Sequence, residues 1–374
     1  MVERSLQSII LKHLSLNKII IIYGARQVGK TTLVQMLLQK INEPFLLLNG
    51  DEPDVREILN GATSTRLQAL VGKNKVVVFD EAQRIPDIGL VLKLLYDSMP
   101  NLKIIVTGSS SLDLANQLQE PLTGRKLVFK LFPFSFKEMV NHTSLLEEKR
   151  LLEHRLIYGY YPEIVNKSDS EQILLSALTE SYLYKDILSM GLVKKPHILE
   201  KLLRALALQI GQEVSYSELG ALIGADKQTV EKYIDLLEKS FVIFRLQTFS
   251  RNLRNEIKKN RKIYFYDNGI RNALIKNFNP LPLRSDVGTL WENFFIAERM
   301  KYLNNELKMV NTYFWRTHSQ QEIDYLEESG GQLIAYKIKW NLRKRVRFPE
   351  KFVKTYHPQK THVIHPENYF EFLL

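Results

Sequence analysis

Short, unbroken apolar runs mark the first third of the chain, at residues 19–23, 76–79 and 104–106. Runs of this length, rich in β-branched residues and lacking alternation, predict strands buried on both faces of a parallel sheet. Between the first two, Leu33, Met36 and Leu37 recur at helical spacing, so the pattern is that of an α/β layer. After residue 140 the period changes to that of helices. Residues 198–209 form an amphipathic helix, 215–219 open a second, Gly224 makes a turn, and 226–230 start a third whose Tyr233, Leu236 and Leu237 face inward. That arrangement predicts a helix-turn-helix. Strand-like segments at 241–246 and 263–266 follow it as the two arms of a wing would. The pattern divides the chain into an α/β domain over 1–140, helices over 141–197, a winged helix-turn-helix over 198–280 and a last segment over 281–374.

No apolar run approaches the ~20 residues that cross a bilayer. The opening MVERSLQSIILKHL lacks the apolar core and cleavage site of a secretory signal, so the expectation is a cytoplasmic protein with no membrane partner. At 374 residues, 45% hydrophobic and 25% charged, the composition is that of an ordinary globular chain of two or three domains. The absence of cysteine excludes disulfides, Fe–S clusters and cysteine-ligated zinc. Chemistry must come from oxygen and nitrogen ligands. A net charge of +11 is concentrated in two clusters, one of Arg251, Arg254, Lys258, Lys259, Arg261 and Lys262, the other of Lys337, Lys339, Arg343, Lys344, Arg345, Arg347, Lys351 and Lys354. Such clusters suit a nucleic-acid backbone, and equally a solvated basic face.

The first apolar run leads into Gly24-Ala25-Arg26-Gln27-Val28-Gly29-Lys30-Thr31-Thr32, which is G-x-x-x-x-G-K-T between a strand and an amphipathic helix. The glycines let the loop turn its N–H groups onto a β-phosphate, and the helix adds its positive dipole end. Lys30 would reach the β- and γ-phosphates of ATP, and the Thr31 hydroxyl would ligate Mg2+. The second run ends in Asp80-Glu81, where Asp80 would hold the magnesium and Glu81 would act as general base for an attacking water. The third ends in Thr107-Gly108-Ser109-Ser110-Ser111. Thr107, or alternatively Ser109, is placed to sense the γ-phosphate; the serines also suit a helix cap. Arg125, on a turn before a further apolar strand, suits either an arginine finger reaching a neighbouring copy in a homo-oligomer or a surface ion pair.

In this order GARQVGKTT, VVVFDEAQ, IIVTGSSS, LTGRK and PFSFKE resemble the AAA-type ATPase module of a large family of bacterial and archaeal proteins. In that family the module precedes a region containing a winged helix and a restriction-endonuclease-like fold. The resemblance implies an ATP hydrolase using Mg2+. It also makes the turn Gly159-Tyr160-Tyr161-Pro162-Glu163 and the segment Tyr182-Leu183-Tyr184-Lys185-Asp186 candidate parts of a lid, although packed aromatic core accounts for them equally.

Lys227, Gln228 and Lys232 of the third helix, with Arg251 and Arg254 of the wing, would meet duplex DNA; a winged helix used for protein contacts is the alternative. In the restriction-endonuclease-like segment Glu292, Asp324 and Lys337 stand where metal-dependent nucleases carry their acids and lysine, but Ala335 occupies the position of the second acid. Loss of that carboxylate predicts a degenerate nuclease site, with an active ATP-dependent nuclease as the rival reading. His357, His362 and His365 lack a partner acid at matching spacing and are expected to be ordinary surface residues.

Overall fold

A computed structural model describes residues 1–109, 121–167, 169–180, 193, 195–250, 261–317, 319–342 and 346–374. It divides into two compact units, residues 1–134 with 239–241, and residues 135–238 with 242–374.

The first unit is an α/β layer built on a five-stranded sheet. In chain order its elements are α1 (Ser5–His13), β1 (Ile19–Gly24), α2 (Lys30–Ile41), β2 (Phe45–Asn49), α3 (Pro53–Leu59), α4 (Ser64–Val71), β3 (Val76–Asp80), α5 (Ile88–Ser98), β4 (Lys103–Ser109) and β5 (Lys126–Leu131). Strand order is β2-β3-β4-β1-β5, every neighbour parallel. The apolar runs are unbroken because both faces are covered. Ile19 to Ile22 and Val76 to Phe79 are wholly buried, and Ile19, Ile21, Val77 and Phe79 pack with Leu67, Val91, Leu92 and Leu95 from the flanking helices. Since β1 lies between β4 and β5 while β2 and β3 continue on the far side of β4, the carboxyl ends of β1, β3 and β4 converge on one edge.

The second unit begins with short helices, α6 (Phe136–His142), α7 (Leu145–Arg150), α8 (Leu152–Tyr158), α9 (Pro162–Asn166) and α10 (Glu171–Leu178). Ser135 and Glu138 form a capping box on α6, and Ser144 caps α7. Tyr160 and Tyr161 of the expected turn are buried, and the Tyr160 hydroxyl donates to Glu148, itself ion-paired with Arg155. These tyrosines are core. The segment 182–186 lies outside the described residues.

The helical segment expected from periodicity comprises α11 (Pro196–Leu208), α12 (Tyr216–Ile223) and α13 (Lys227–Lys239). Ser215 caps α12; at the turn Gly224 takes φ 75°, and Asp226 accepts from the Thr229 backbone N–H at 2.7 Å. β6 (Glu213–Val214), β7 (Ile243–Thr248) and β8 (Arg261–Phe265) follow around it, with β7 and β8 antiparallel as expected for wing arms. They do not end there. β7 also pairs in parallel with β9 (Asn311–Arg316), through Gln247–Tyr313 and Thr248–Phe314, so the arms join a seven-stranded sheet of order β12-β11-β10-β9-β7-β8-β6. Its other members are β10 (Glu322–Ser329), β11 (Gln332–Ile338) and β12 (Lys360–Ile364). Helices α14 (Asn268–Leu274), α15 (Val287–Asn305) and α16 (Glu350–Tyr356) complete the unit. Strands from both sides of residue 280, the boundary expected from the sequence, therefore share one sheet. Among the described residues no helix is long and apolar enough to cross a membrane.

Candidate active site

Gly24 to Gly29 form the loop between β1 and α2, and Lys30, Thr31 and Thr32 begin α2. A Cβ on Gly24 would lie 2.3 Å from the Leu131 carbonyl oxygen, so the loop can leave β1 beside β5 only with glycine there. Gly29 is the N-cap at φ 90°, and Gln27 also takes a left-handed φ of 58°. With glycine as the cap, the cap residue brings no side chain of its own to the first-turn N–H groups at the positive end of the helix dipole, where an anion is favoured. Lys30 is buried and donates to the carbonyls of Gly24 (3.1 Å) and Ala25 (2.8 Å), across the mouth of the loop.

Asp80 is the last residue of β3, one step beyond the register pair Phe79–Val106, and so sits beside Thr107 on β4. The Thr107 hydroxyl donates to one carboxylate oxygen of Asp80, and the Thr31 hydroxyl donates to the other at 2.8 Å. One carboxylate thus gathers hydroxyls from α2 and β4, and the three residues supply the hard oxygen donors that Mg2+ requires. Glu81 follows at a left-handed φ of 49°, and its backbone N–H donates to Asp80 Oδ1 at 3.2 Å. Gln83 donates to Glu81 Oε2 at 2.5 Å. The fit of this edge to a nucleotide with its magnesium rests on this chain's own groups: an open helix N-terminus, a lysine at the loop and an oxygen set around Asp80. Ser109 ends β4 opposite Gly24; Ser110 and Ser111 lie outside the described residues.

Arg125 is not brought to this edge. It precedes β5, where Lys126 is level with Ile19, so the length of β1 separates it from this chain's own P-loop. Its guanidinium pairs with Asp97 at 3.1 Å and lies over Tyr96. Two other residues near the loop escaped the sequence reading. Arg4, almost fully buried, donates to the carbonyls of Val28 (2.8 Å) and Phe132 (2.6 Å), tying the P-loop to the strand exit after β5. Nothing in its spacing marks it. Gln83, two residues from Glu81, carries the only local hint, an amide beside an acid pair.

The second unit holds a separate carboxylate centre. Glu292 on α15 and Asp324 on β10 lie within electrostatic reach of each other, and Glu322, two residues before Asp324, shares Lys262 with Glu292. At the middle is Lys262 of β8, 3% exposed, with its ammonium 3.1 Å from Glu292 and 2.5 Å from Glu322. The Tyr264 hydroxyl donates to Glu292 at 2.6 Å. Asp324 accepts from the Ile338 N–H at 2.6 Å and faces the Lys339 ammonium at 3.3 Å. Burial pulls the pKa of Lys262 down, but Glu292, Glu322 and Asp324 outweigh it and hold the value above its ordinary range. Burial raises the Glu292 carboxyl, with Lys262 opposing and Asp324 adding to the rise, and burial lowers Lys337. This centre changes the reading of the basic clusters. Lys262 is internal, Arg261 donates to the Tyr216 hydroxyl at 2.9 Å, and Lys339 is engaged by Asp324, so these three are not the open cations that a phosphate backbone would meet. Arg251, Arg254, Lys258, Lys259, Arg343, Lys344 and Arg345 lie outside the described residues.

A parallel sheet that presents a glycine-rich loop, a lysine at a helix N-terminus and an aspartate at a neighbouring strand end defines the class, an AAA-type P-loop ATPase-like domain. Known proteins place the chain further. Residues 16–140 match the family model described as an AAA domain, residues 149–281 that described as Domain of unknown function (DUF8612), and residues 287–371 that described as Domain of unknown function (DUF4143). An uncharacterized protein of Mycobacterium tuberculosis is 27% identical over 330 residues, covering 86% of this chain and 70% of that one. Another, of Methanocaldococcus jannaschii, is 24% identical over 365 residues, covering 90% and 79%. Among solved structures, the Thermotoga maritima RuvB Holliday junction branch migration motor is similar over 73% of this chain and 96% of that chain, with 15% identity and a TM-score of 0.32. The Aeropyrum pernix ORC1 protein in complex with DNA is similar over 72% and 91%, with 14% identity and a TM-score of 0.33.

Proposed function

We propose that residues 1–140 bind ATP with Mg2+ and hydrolyse it, and that the nucleotide state controls the C-terminal unit. The observation that carries this reading is the Asp80 carboxylate, which accepts from Thr31 of the P-loop helix and from Thr107 of the adjoining strand. The backbone from Gly24 to Gly29, through Ala25, Arg26, Gln27 and Val28, cradles the β-phosphate, with Lys30 and Thr32 closing the first turn. Lys30 leaves its loop carbonyls for the β- and γ-phosphates. Thr31 and Asp80 hold the magnesium, which when bound draws charge from the β- and γ-phosphate oxygens. Glu81, with Oε2 engaged by Gln83, takes a proton from water as the water oxygen attacks the γ-phosphorus and ADP leaves. Thr107 keeps Asp80 oriented and senses the γ-phosphate. Glu81→Gln tests the assignment. The variant should bind ATP as the wild type does and hydrolyse it about 10²–10⁴-fold more slowly; hydrolysis at the wild-type rate removes Glu81 from the mechanism.

The C-terminal unit reads best as a helical connector over 141–197, a winged helix over 198–280 and a restriction-endonuclease-like segment over 281–374 that serves binding rather than cleavage. Duplex DNA is the proposed target. Lys227, Gln228 and Lys232 are exposed along one stretch of α13, at the start of the helix that follows the turn, which is the position from which such helices read the major groove. Binding to duplex DNA should fall steeply with added salt and weaken in Lys227→Ala and Lys232→Ala; affinity indifferent to salt would turn the reading to a protein partner. The protein is proposed to act in the cytoplasm, and Arg125, remote from its own P-loop, can reach a γ-phosphate only from a neighbouring copy of the chain.

A further inference from the structure

The expectation of a weakened nuclease site rested on a missing acid at Ala335. The structure shows something different. The acids are not short in number, because Glu322 adds to Glu292 and Asp324, and all three lie within the electrostatic reach of one buried lysine. Restriction-endonuclease-like sites put a divalent cation between such carboxylates to activate water. Here Lys262 donates to Glu292 Oε1 and is ion-paired with Glu322 Oε1, oxygens that a cation would need. Its ammonium also lies over the Phe314 ring, 5.5 Å from the ring centroid. Tyr264, two residues on and on the same face of β8, adds a hydroxyl to Glu292 Oε1, the oxygen that Lys262 already contacts.

We propose that the Lys262 ammonium is the resident cation of this centre and takes the place of a divalent metal, so that the C-terminal unit works as a metal-independent binding module. Two features make the substitution specific. A monovalent ammonium needs only hydrogen-bond acceptors, whereas Mg2+ or Mn2+ needs a near-complete shell of oxygens at short distance. Asp324, the remaining acid, is turned to the Ile338 N–H and to Lys339, which satisfies it without a metal. The lysine also has a structural consequence. It ties β8, the strand that flanks the helix-turn-helix, to α15 and to β10, so one ion-pair hub joins the two parts of the seven-stranded sheet.

The test is Mn2+ binding to the nucleotide-free full-length chain, read as free Mn2+ by electron paramagnetic resonance, in an Asp80→Asn background that removes the proposed N-terminal metal site. With Lys262 present, adding Asp324→Asn should not change Mn2+ binding. Lys262→Met, which keeps the stem and removes the charge, should gain a site at least about tenfold tighter than any background binding, and Asp324→Asn should abolish that gain. Mn2+ binding by the Lys262 protein that Asp324→Asn removes would overturn the proposal, and so would a folded Lys262→Met protein that gains no site. If Lys262→Met does not fold, Lys262→Arg serves: it keeps a cation and should fold without gaining Mn2+, and a metal site in it, lost with Asp324→Asn, would equally overturn the proposal.

Discussion

The chain carries two carboxylate centres, and they differ in what the protein sets against them. At the edge of the first sheet Asp80 faces hydroxyls: Thr31 and Thr107 donate to it, each with lone pairs of its own that a metal can use. In the second sheet Glu292 and Glu322 face an ammonium, which brings a full positive charge and no lone pair. Two unit charges about 4 Å apart interact by roughly 4 kcal/mol at an effective dielectric of 20, and a divalent ion entering beside a fixed ammonium meets about twice that in repulsion. A cluster of acids is therefore not by itself a metal site. What decides is whether the fold has already supplied the cation.

Removing the resident cation should give the largest effect on stability. In metal-free buffer Lys262→Met leaves buried carboxylates uncompensated and should cost about 3–5 kcal/mol in urea unfolding at neutral pH. A cost near zero would break the contrast between the two centres. At the first centre the matching change, Thr107→Val, removes one hydroxyl from Asp80 and should cost only about 1 kcal/mol, while raising the Mg2+ concentration needed for half-maximal ATP hydrolysis.

Asp286 sharpens the comparison as a carboxylate whose cations are arginines. Burial would raise its pKa, but hydrogen bonds from Arg284 and Arg271 outweigh burial and bring it down to about 2. A depressed value means stabilisation that is present above the unfolded value of about 4 and lost as pH falls toward 2. Unfolding midpoints between pH 5 and 2 should fall less steeply in Asp286→Asn than in the wild type, and equal slopes would remove this pair from the account. The smallest effect belongs to Arg125→Ala. As a partly exposed partner of Asp97 it should change stability by less than about 1 kcal/mol. A large loss of hydrolysis that depends on protein concentration would instead assign Arg125 to a neighbour's site.

The two centres were not equally legible in the sequence. Gly24 to Thr32 and the pair Asp80-Glu81 are contiguous, each preceded by an apolar strand, so motif and context could be read together. Thr107 was legible because it directly follows a third such apolar run. Lys262 was not, since its partners are 30 and more residues away and linear charge counting assigned it to a basic cluster. Burial of a long side chain is a tertiary fact. Glu322 could have been found from strand alternation, which puts it on the face of Asp324; attention to the missing acid at Ala335 passed over it. The helix-turn-helix was marked by Ser215, Gly224 and Asp226, each with a local backbone role. The sheet shared by strands on both sides of residue 280 depends on β7 meeting β9, a pairing between segments about 65 residues apart that no local pattern encodes. Arg4 belongs with these. Its contact with Val28 gives the P-loop a support from the opening residues of the chain, with no motif to announce it.

The most direct measurement is the steady-state ATP hydrolysis rate of the full chain with Mg2+, beside Lys30→Ala and beside the wild type in excess chelator. The account predicts turnover by the wild type that falls at least about 10²-fold in Lys30→Ala and disappears without divalent metal. Turnover that survives in Lys30→Ala would contradict it, because the P-loop edge would then not be where ATP is hydrolysed.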